Sequence, residues 1–173
     1  MANELPQRKR TRLKYFDYSK TGAYFITVCT HNRKCTLSTI VGTGVPDGPK
    51  NVDLLPYGII AEKYINQLND FYGYISVDRY VIMPNHIHFI LFVTPREDGP
   101  SGTPVPTAQN SPVAHFISTF KRFCNREAGK NIWQYRSYDH VIRNRDDYEE
   151  ICQYICDNPK HWFYDKLYSS DNK

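Results

Sequence analysis

The stretch "VIMPNHIHFILFV", residues 81–93, decides the fold. A strand repeats every two residues, so His86 and His88 point to one face while Ile87, Phe89, Leu91 and Val93 point to the other. The second face reads as plain core. The first holds two imidazoles side by side, which a core does not need. Upstream, "YGYISVDRYVIM" (72–83) reads as a second strand, and Pro84 with Asn85 makes the turn that joins the two as a tight hairpin.

The remaining elements follow outward from that hairpin. "GAYFITVCTHN" (22–32) reads as a strand and "LPYGIIAEKYINQLNDF" (55–71) as a helix with Pro56 near its first turn. "SPVAHFISTFKRFCNREAG" (111–129) predicts a helix capped by Ser111, with Pro112 at its first position and Gly129 at its end. "IWQYRSYDHVI" (132–142) predicts a further strand. "NRDDYEEICQYICDNP" (144–159) predicts a last helix, capped by Asn144, with acids in its first turn and Pro159 as its stop. The order is β-α-β-β-α-β followed by a helix. That is an α+β protein with a ferredoxin-like antiparallel sheet and an added C-terminal helix.

With 173 residues, the chain accommodates one domain over 21–173, preceded by an arm over 1–20. The net charge of +4 is mild, but Arg8, Lys9, Arg10, Arg12 and Lys14 crowd the arm ahead of any apolar run. Such an arm tracks phosphates or stands as a solvated terminus, and the segment alone fits both. Tyr15, Phe16 and Tyr18 beside those cations are of the type that stacks on bases. No signal peptide or membrane span is visible. Five cysteines without CxxC spacing point to a reduced, cytoplasmic protein.

Two loop insertions, about 41–51 and 95–110, are rich in Gly and Pro and lack periodicity. They are related through their codons. "VGTGVPDGP" (41–49) is encoded by GTN GGN ACN GGN GTN CCN GAY GGN CCN. The reverse complement, read one base out of phase, translates as Gly-Pro-Ser-Gly-Thr-Pro-Val-Pro-Thr, which is residues 99–107 at every position. The gene is expected to carry an inverted repeat at these two sites.

Two imidazoles on one face suit a divalent metal but do not complete its coordination. The last helix offers Glu150, Tyr154 and Asn158 in one line at i, i+4 and i+8, while Tyr148, Ile151, Cys152 and Ile155 form its apolar stripe. Tyr154 lies roughly 100° around from that stripe, flanking the core and free to look into a cleft. Glu150 reads as a metal neighbour or a solvated residue. A phenol with a pKa of about 10 is a poor nucleophile by itself. Beside a metal that grips a phosphodiester, its attack on phosphorus becomes feasible and conserves the bond energy in a phosphotyrosine link. Tyr138, next to Asp139 and His140, is the rival nucleophile.

"MPNHIHFI" resembles the His-hydrophobic-His motif of the HUH endonuclease superfamily. Together with "GAYFITVCTHNR", "IWQYRSYDHVIRNRDDYEEICQYICDNP" and "HW", the chain resembles the REP-associated tyrosine transposases over most of residues 8–163. The resemblance implies cleavage and rejoining of single-stranded DNA near palindromic hairpins, through a 5′-phosphotyrosine and a free 3′-OH. It implies a divalent metal, Mg²⁺ or Mn²⁺, and no small-molecule cofactor. His86 and His88 match the metal histidines, Asn158 the residue completing the metal site, and Tyr154 the nucleophile. The basic arm matches the region that reads a short guide strand. Lys121, Arg122 and Arg143 are further candidates for phosphate contacts. A nucleoid-associated bacterial protein, off the membrane and monomeric with a dimer as the alternative, is expected. Three other readings keep the same residues: a non-catalytic single-strand binder, a replication-type nuclease, and a structural zinc protein. The Gly/Pro loops and the short tail after Lys166 depart from the family pattern. Pro159 is expected to push Asn158 out of helical geometry.

Overall fold

The computed structural model describes residues 21–42, 50–95 and 111–168. The strands are β1 (Gly22–Cys29), β2 (Ser38–Gly42), β3 (Lys50–Leu54), β4 (Ile75–Ile82), β5 (His86–Val93) and β6 (Tyr138–Ile142). The helices are α1 (Pro56–Phe71), α2 (Pro112–Glu127) and α3 (Arg145–Asp157). Four strands form one antiparallel sheet in the order β4-β5-β1-β6, the ferredoxin-like arrangement, and α3 is the added helix.

The alternation in β5 places its two residue sets as expected. Ile87, Phe89 and Leu91 are fully buried and join Tyr24, Ile26 and Val28 of β1 against α1 and α2, through Ile65, Leu68, Phe116 and Phe120. The histidine face is also covered, because α3 lies across it and packs Ile155 on Ile90 and Ile142. Covered on both faces, β5 reads as a nearly continuous apolar run.

Several local devices hold α3 in place. Asn144 caps it by accepting from Asp147 N at 2.8 Å. The Asp147 carboxylate in turn accepts from His140 of β6 at 3.1 Å. The β4–β5 register shifts between Val77 and Arg79, a bulge at Asp78, whose carboxylate accepts from the Tyr148 hydroxyl at 2.7 Å. These contacts fix the start of the helix that carries Tyr154.

The structure departs from the sequence reading in three places. A small hairpin, β2–β3, precedes α1, and its register runs to Gly42↔Lys50, inside the span read as an insertion. It closes against the body where Gly58 of α1 meets Leu37: a Cβ there would lie 2.0 Å from the Leu37 carbonyl oxygen, so only glycine fits. The strand expected from Ile132 begins only at Tyr138. The carbonyls of Gln134, Tyr135 and Arg136, which a ladder would use, all accept from the Lys121 ammonium, at 2.8, 3.2 and 3.3 Å. Finally, Asn158 is helical after all (φ −54°, ψ −42°), continuing α3 by one residue despite Pro159.

Candidate metal and tyrosine site

The centre of the site is the start of β5, where the His86 and His88 rings sit 4.5 Å apart, both buried. Asn85, in the turn, fixes the first of them. Its Nδ2 donates to the carbonyls of Arg33 (3.3 Å) and Leu167 (2.7 Å), so its Oδ1 faces His86 Nδ1 at 2.8 Å and accepts from it. The proton therefore sits on Nδ1, and the His86 Nε2 lone pair is left buried with no hydrogen-bond partner. His88 Nδ1 pairs with the Thr27 hydroxyl at 2.8 Å, which turns its Nε2 the same way. Phe25 stacks on the His88 ring at 5.0 Å and Trp162 lies 6.0 Å from the His86 ring, framing the pair with apolar walls.

From α3, Tyr154 brings its hydroxyl to 3.4 Å from His88 Nε2 while the residue stays 45% exposed. One turn on, Asn158 is buried and donates Nδ2 to Asp165 Oδ2 at 3.2 Å, which leaves its Oδ1 buried without a partner. Asp165 follows the short 3₁₀ turn Trp162–Tyr164 and is held by Leu167 N at 2.6 Å. His86, His88 and Asp165 each offer a ligand atom, and these lie within 4.8 Å of one another. A divalent ion with bonds of about 2.1 Å holds neighbouring ligands about 3.0–3.4 Å apart, so the three side chains would draw together around it.

The electrostatics agree with the geometry. Burial pushes the His86 pKa down to about 4, opposed by the Asp165 carboxylate and reinforced by the Arg33 charge. Burial, then the neighbouring His86, holds His88 well below the usual histidine range. Both rings are thus neutral, as metal ligands must be. Burial and the Asp165 charge push the Tyr154 phenol up, so at neutral pH it is protonated. Two neutral imidazoles, the orphaned amide oxygen of Asn158 and one carboxylate form a donor set that fits a divalent cation. Oxygen donors suit Mg²⁺ and Mn²⁺, while imidazoles favour transition ions, and Mn²⁺ satisfies both.

The other sequence candidates fall in different places. Tyr138 is half-exposed on the same face but pairs with Thr27 on the far side of β1, about 10 Å from the histidines by strand spacing. Glu150 is exposed on α3 and outside the ligand cluster. The Lys121 ammonium is engaged on the three loop carbonyls, and burial lowers its pKa to about 8. Lys121 and Arg122 line a cavity of about 780 Å³ with Ile117, Trp133 and Asp139, on the α2 side of the sheet, away from the histidines. Arg143 is exposed just before α3, its backbone N–H on Asp147. Arg8, Lys9, Arg10, Arg12 and Lys14 lie outside the described residues. Asp165, Asn85, Thr27 and Arg33 were not picked out from sequence. Only Asn85 and Thr27 carried a signal, through their positions beside and opposite the histidines.

With this geometry established, known proteins supply a comparison. No protein-family model matches the chain. It is 28% identical over 145 residues to a REP-associated tyrosine transposase of Escherichia coli, covering 83% of this chain and 70% of that protein. Its fold matches the solved structure of a REP-associated tyrosine transposase bound to a REP hairpin, with a TM-score of 0.59 over 86% of this chain and 73% of that one, at 24% identity. The chain resembles the REP-associated tyrosine transposases in sequence and in fold. It is also 28% identical over 174 residues to an uncharacterized protein of Haemophilus influenzae, with 93% of each chain covered. Among the described residues, no helix is long and apolar enough to cross a membrane.

Proposed function

We propose that the chain is a metal-dependent DNA strand transferase that cuts single-stranded DNA beside a hairpin, with Tyr154 as nucleophile. One observation carries this reading: the Tyr154 hydroxyl lies at the His88 Nε2 position on which two unpartnered buried lone pairs and a carboxylate also converge. His86, His88, Asn158 and Asp165 would hold the ion. Bound there, Mg²⁺ or Mn²⁺ supplies positive charge for the phosphate oxygens as they gain charge in the transition state.

The protein's own residues do the rest. Asn85 keeps a proton on His86 Nδ1, leaving its Nε2 lone pair free, and the Thr27 hydroxyl holds His88 by Nδ1 with its Nε2 turned the same way. Tyr154, with its hydroxyl 3.4 Å from His88 Nε2, sets its oxygen beside the place where a phosphate held at these residues would lie. The phenolic proton leaves to solvent through the open side of the ring. The Tyr154 Oη–P bond forms, the P–O3′ bond breaks, and O3′ takes a proton from water, giving a 5′-phosphotyrosine and a 3′-OH. A later 3′-OH reverses the step and rejoins a strand. Arg33, whose charge acts on His86, serves as a phosphate contact beside the histidines, and Arg143 as one farther along the bound strand, with the N-terminal arm reading the guide strand. The protein acts as a monomer.

The experiment is a denaturing gel of protein mixed with labelled single-stranded hairpin oligonucleotides in Mn²⁺. A shifted, labelled band in wild type, lost in Tyr154→Phe and in EDTA but kept in Tyr138→Phe, is the expected result. Metal-independent retention on a native gel with no covalent band identifies a binding module instead and overturns the proposal.

A further inference from the structure

We infer that the gene itself carries two copies of a short DNA hairpin, 5′-GGNAC-N₄-GTNCC-3′, and that this hairpin is a substrate of the metal and tyrosine site. The inference rests on the proposed function and adds a sequence to it.

The observation is a pentapeptide that occurs twice, as Gly42-Thr43-Gly44-Val45-Pro46 and as Gly102-Thr103-Pro104-Val105-Pro106. Gly, Thr, Val and Pro each have their first two codon bases fixed. Gly-Thr-Xaa-Val-Pro is therefore encoded by GGN ACN NNN GTN CCN whatever synonymous codons are used. The first five bases, GGNAC, pair antiparallel with the last five, GTNCC: G with C, G with C, A with T and C with G, and one pair left free. The four bases between them are the loop. Each segment thus encodes an imperfect palindrome by necessity.

Residues 99–107 are also, at every position, the out-of-phase translation of the opposite strand that the codons of residues 41–49 allow. A protein has no physical reason to make one loop the translation of another loop's opposite strand, because the relation does not exist between side chains. Two copies of a DNA palindrome, inserted in opposite orientations, produce it directly.

The fold shows how such insertions are tolerated. The β2–β3 register is unbroken to Gly42↔Lys50, so in sequence residues 43–49 fall between two paired strands. Residues 99–107 fall between Val93, the last residue of β5, and Ser111, the cap of α2. Closure cost grows slowly with loop length, and loop tips are where added sequence costs a fold least. Among the described residues, those flanking either joint supply no donor to the site.

The first test reads the coding DNA. Third bases of codons 41–48 fall opposite third bases of codons 106–99, and the amino acids leave nearly all of them free. They are expected to be complementary, as are the third bases of the Gly42 and Val45 codons and of the Gly102 and Val105 codons. Unpaired third bases overturn the inference at once. The second test is a native-gel titration of wild-type protein with the single-stranded 27-mer of codons 41–49, with a version whose terminal CC is changed to GG, and with a version restoring pairing by changing GG to CC as well. The intact hairpin is expected to bind at least about tenfold tighter than the broken stem. The restored stem reports shape against sequence readout. Equal binding of intact and broken stems overturns the inference. Failure of the proposed function looks different: no hairpin, including ones from the gene's flanks, then yields a covalent band. If flanking hairpins react and the coding hairpins bind no better than the broken stem, the inference alone fails.

Discussion

Replacing Asn85 by alanine isolates the device that aims His86. Asn85 is fully buried and its side chain makes three hydrogen bonds, to His86 Nδ1 (2.8 Å), the Leu167 carbonyl (2.7 Å) and the Arg33 carbonyl (3.3 Å). Arg33 is exposed and Leu167 partly so, and water can replace the amide at both carbonyls. His86 Nδ1 is buried and has no substitute, so its lost bond carries most of the cost, about 1–3 kcal/mol. Freed from its acceptor, the imidazole also loses its tautomer, and loss of an outer partner of this kind weakens metal binding about 10- to 100-fold. Calorimetric titration with Mn²⁺ and urea unfolding of the apoprotein read the two effects separately. Asn85→Asp keeps the acceptor for His86 and loses both donors, so it is expected to fall in stability while holding metal affinity within a few-fold. If Asn85→Ala binds Mn²⁺ as wild type does, the lone pair of His86 Nε2 is not what the turn is built to present.

Other consequences follow from the same geometry. Asp165→Asn removes the one carboxylate of the cluster while sparing the Leu167 N–H contact, so Mn²⁺ affinity is expected to drop about tenfold or more without loss of fold, read by calorimetry and by melting temperature. His86 is neutral in the folded chain down to about pH 4, but the unfolded chain takes up that proton near pH 6.5, so the unfolded state binds more protons in between. Its contribution to stability is complete above pH 6.5 and is lost as the pH falls towards about 4. Urea melts of the apoprotein at pH 7 and pH 5 check this, and His86→Gln should flatten the dependence. For the same reason, Mn²⁺ binding between pH 6 and 8 is expected to release no proton from the histidines, as shown by equal heats in buffers of different ionisation enthalpy. Neutralising Arg8, Lys9, Arg10, Arg12 and Lys14 is expected to make the log–log salt dependence of single-strand binding shallower by up to about 0.7 per cation, measured by anisotropy.

Much of the fold was legible because the signals were local. The alternation of β5, the Ser111 cap with Pro112, the Asn144 cap and Gly129 at φ +66° each fix an element from a few neighbouring residues. The β2–β3 hairpin was missed because its strands are short and half-exposed, and the alternation of β3 rests on only two apolar residues, Val52 and Leu54. The late start of β6 was missed because a lysine thirteen to fifteen residues away holds the carbonyls that a strand would have used. At the site, His86, His88, Tyr154 and Asn158 could be picked out from spacing and resemblance, and the structure brings all four together. Asp165 could not. It follows a break in periodicity after α3, and only the fold-back of that segment onto Asn85, through the Leu167 carbonyl, returns it to the histidines.

The most direct measurement locates the covalent link. Wild-type protein reacted with a hairpin oligonucleotide in Mn²⁺ is digested with nuclease and trypsin, and the peptides are sequenced by mass spectrometry. The account predicts a nucleotide phosphate on Tyr154 alone. A nucleotide on Tyr138, or on any other residue, contradicts it.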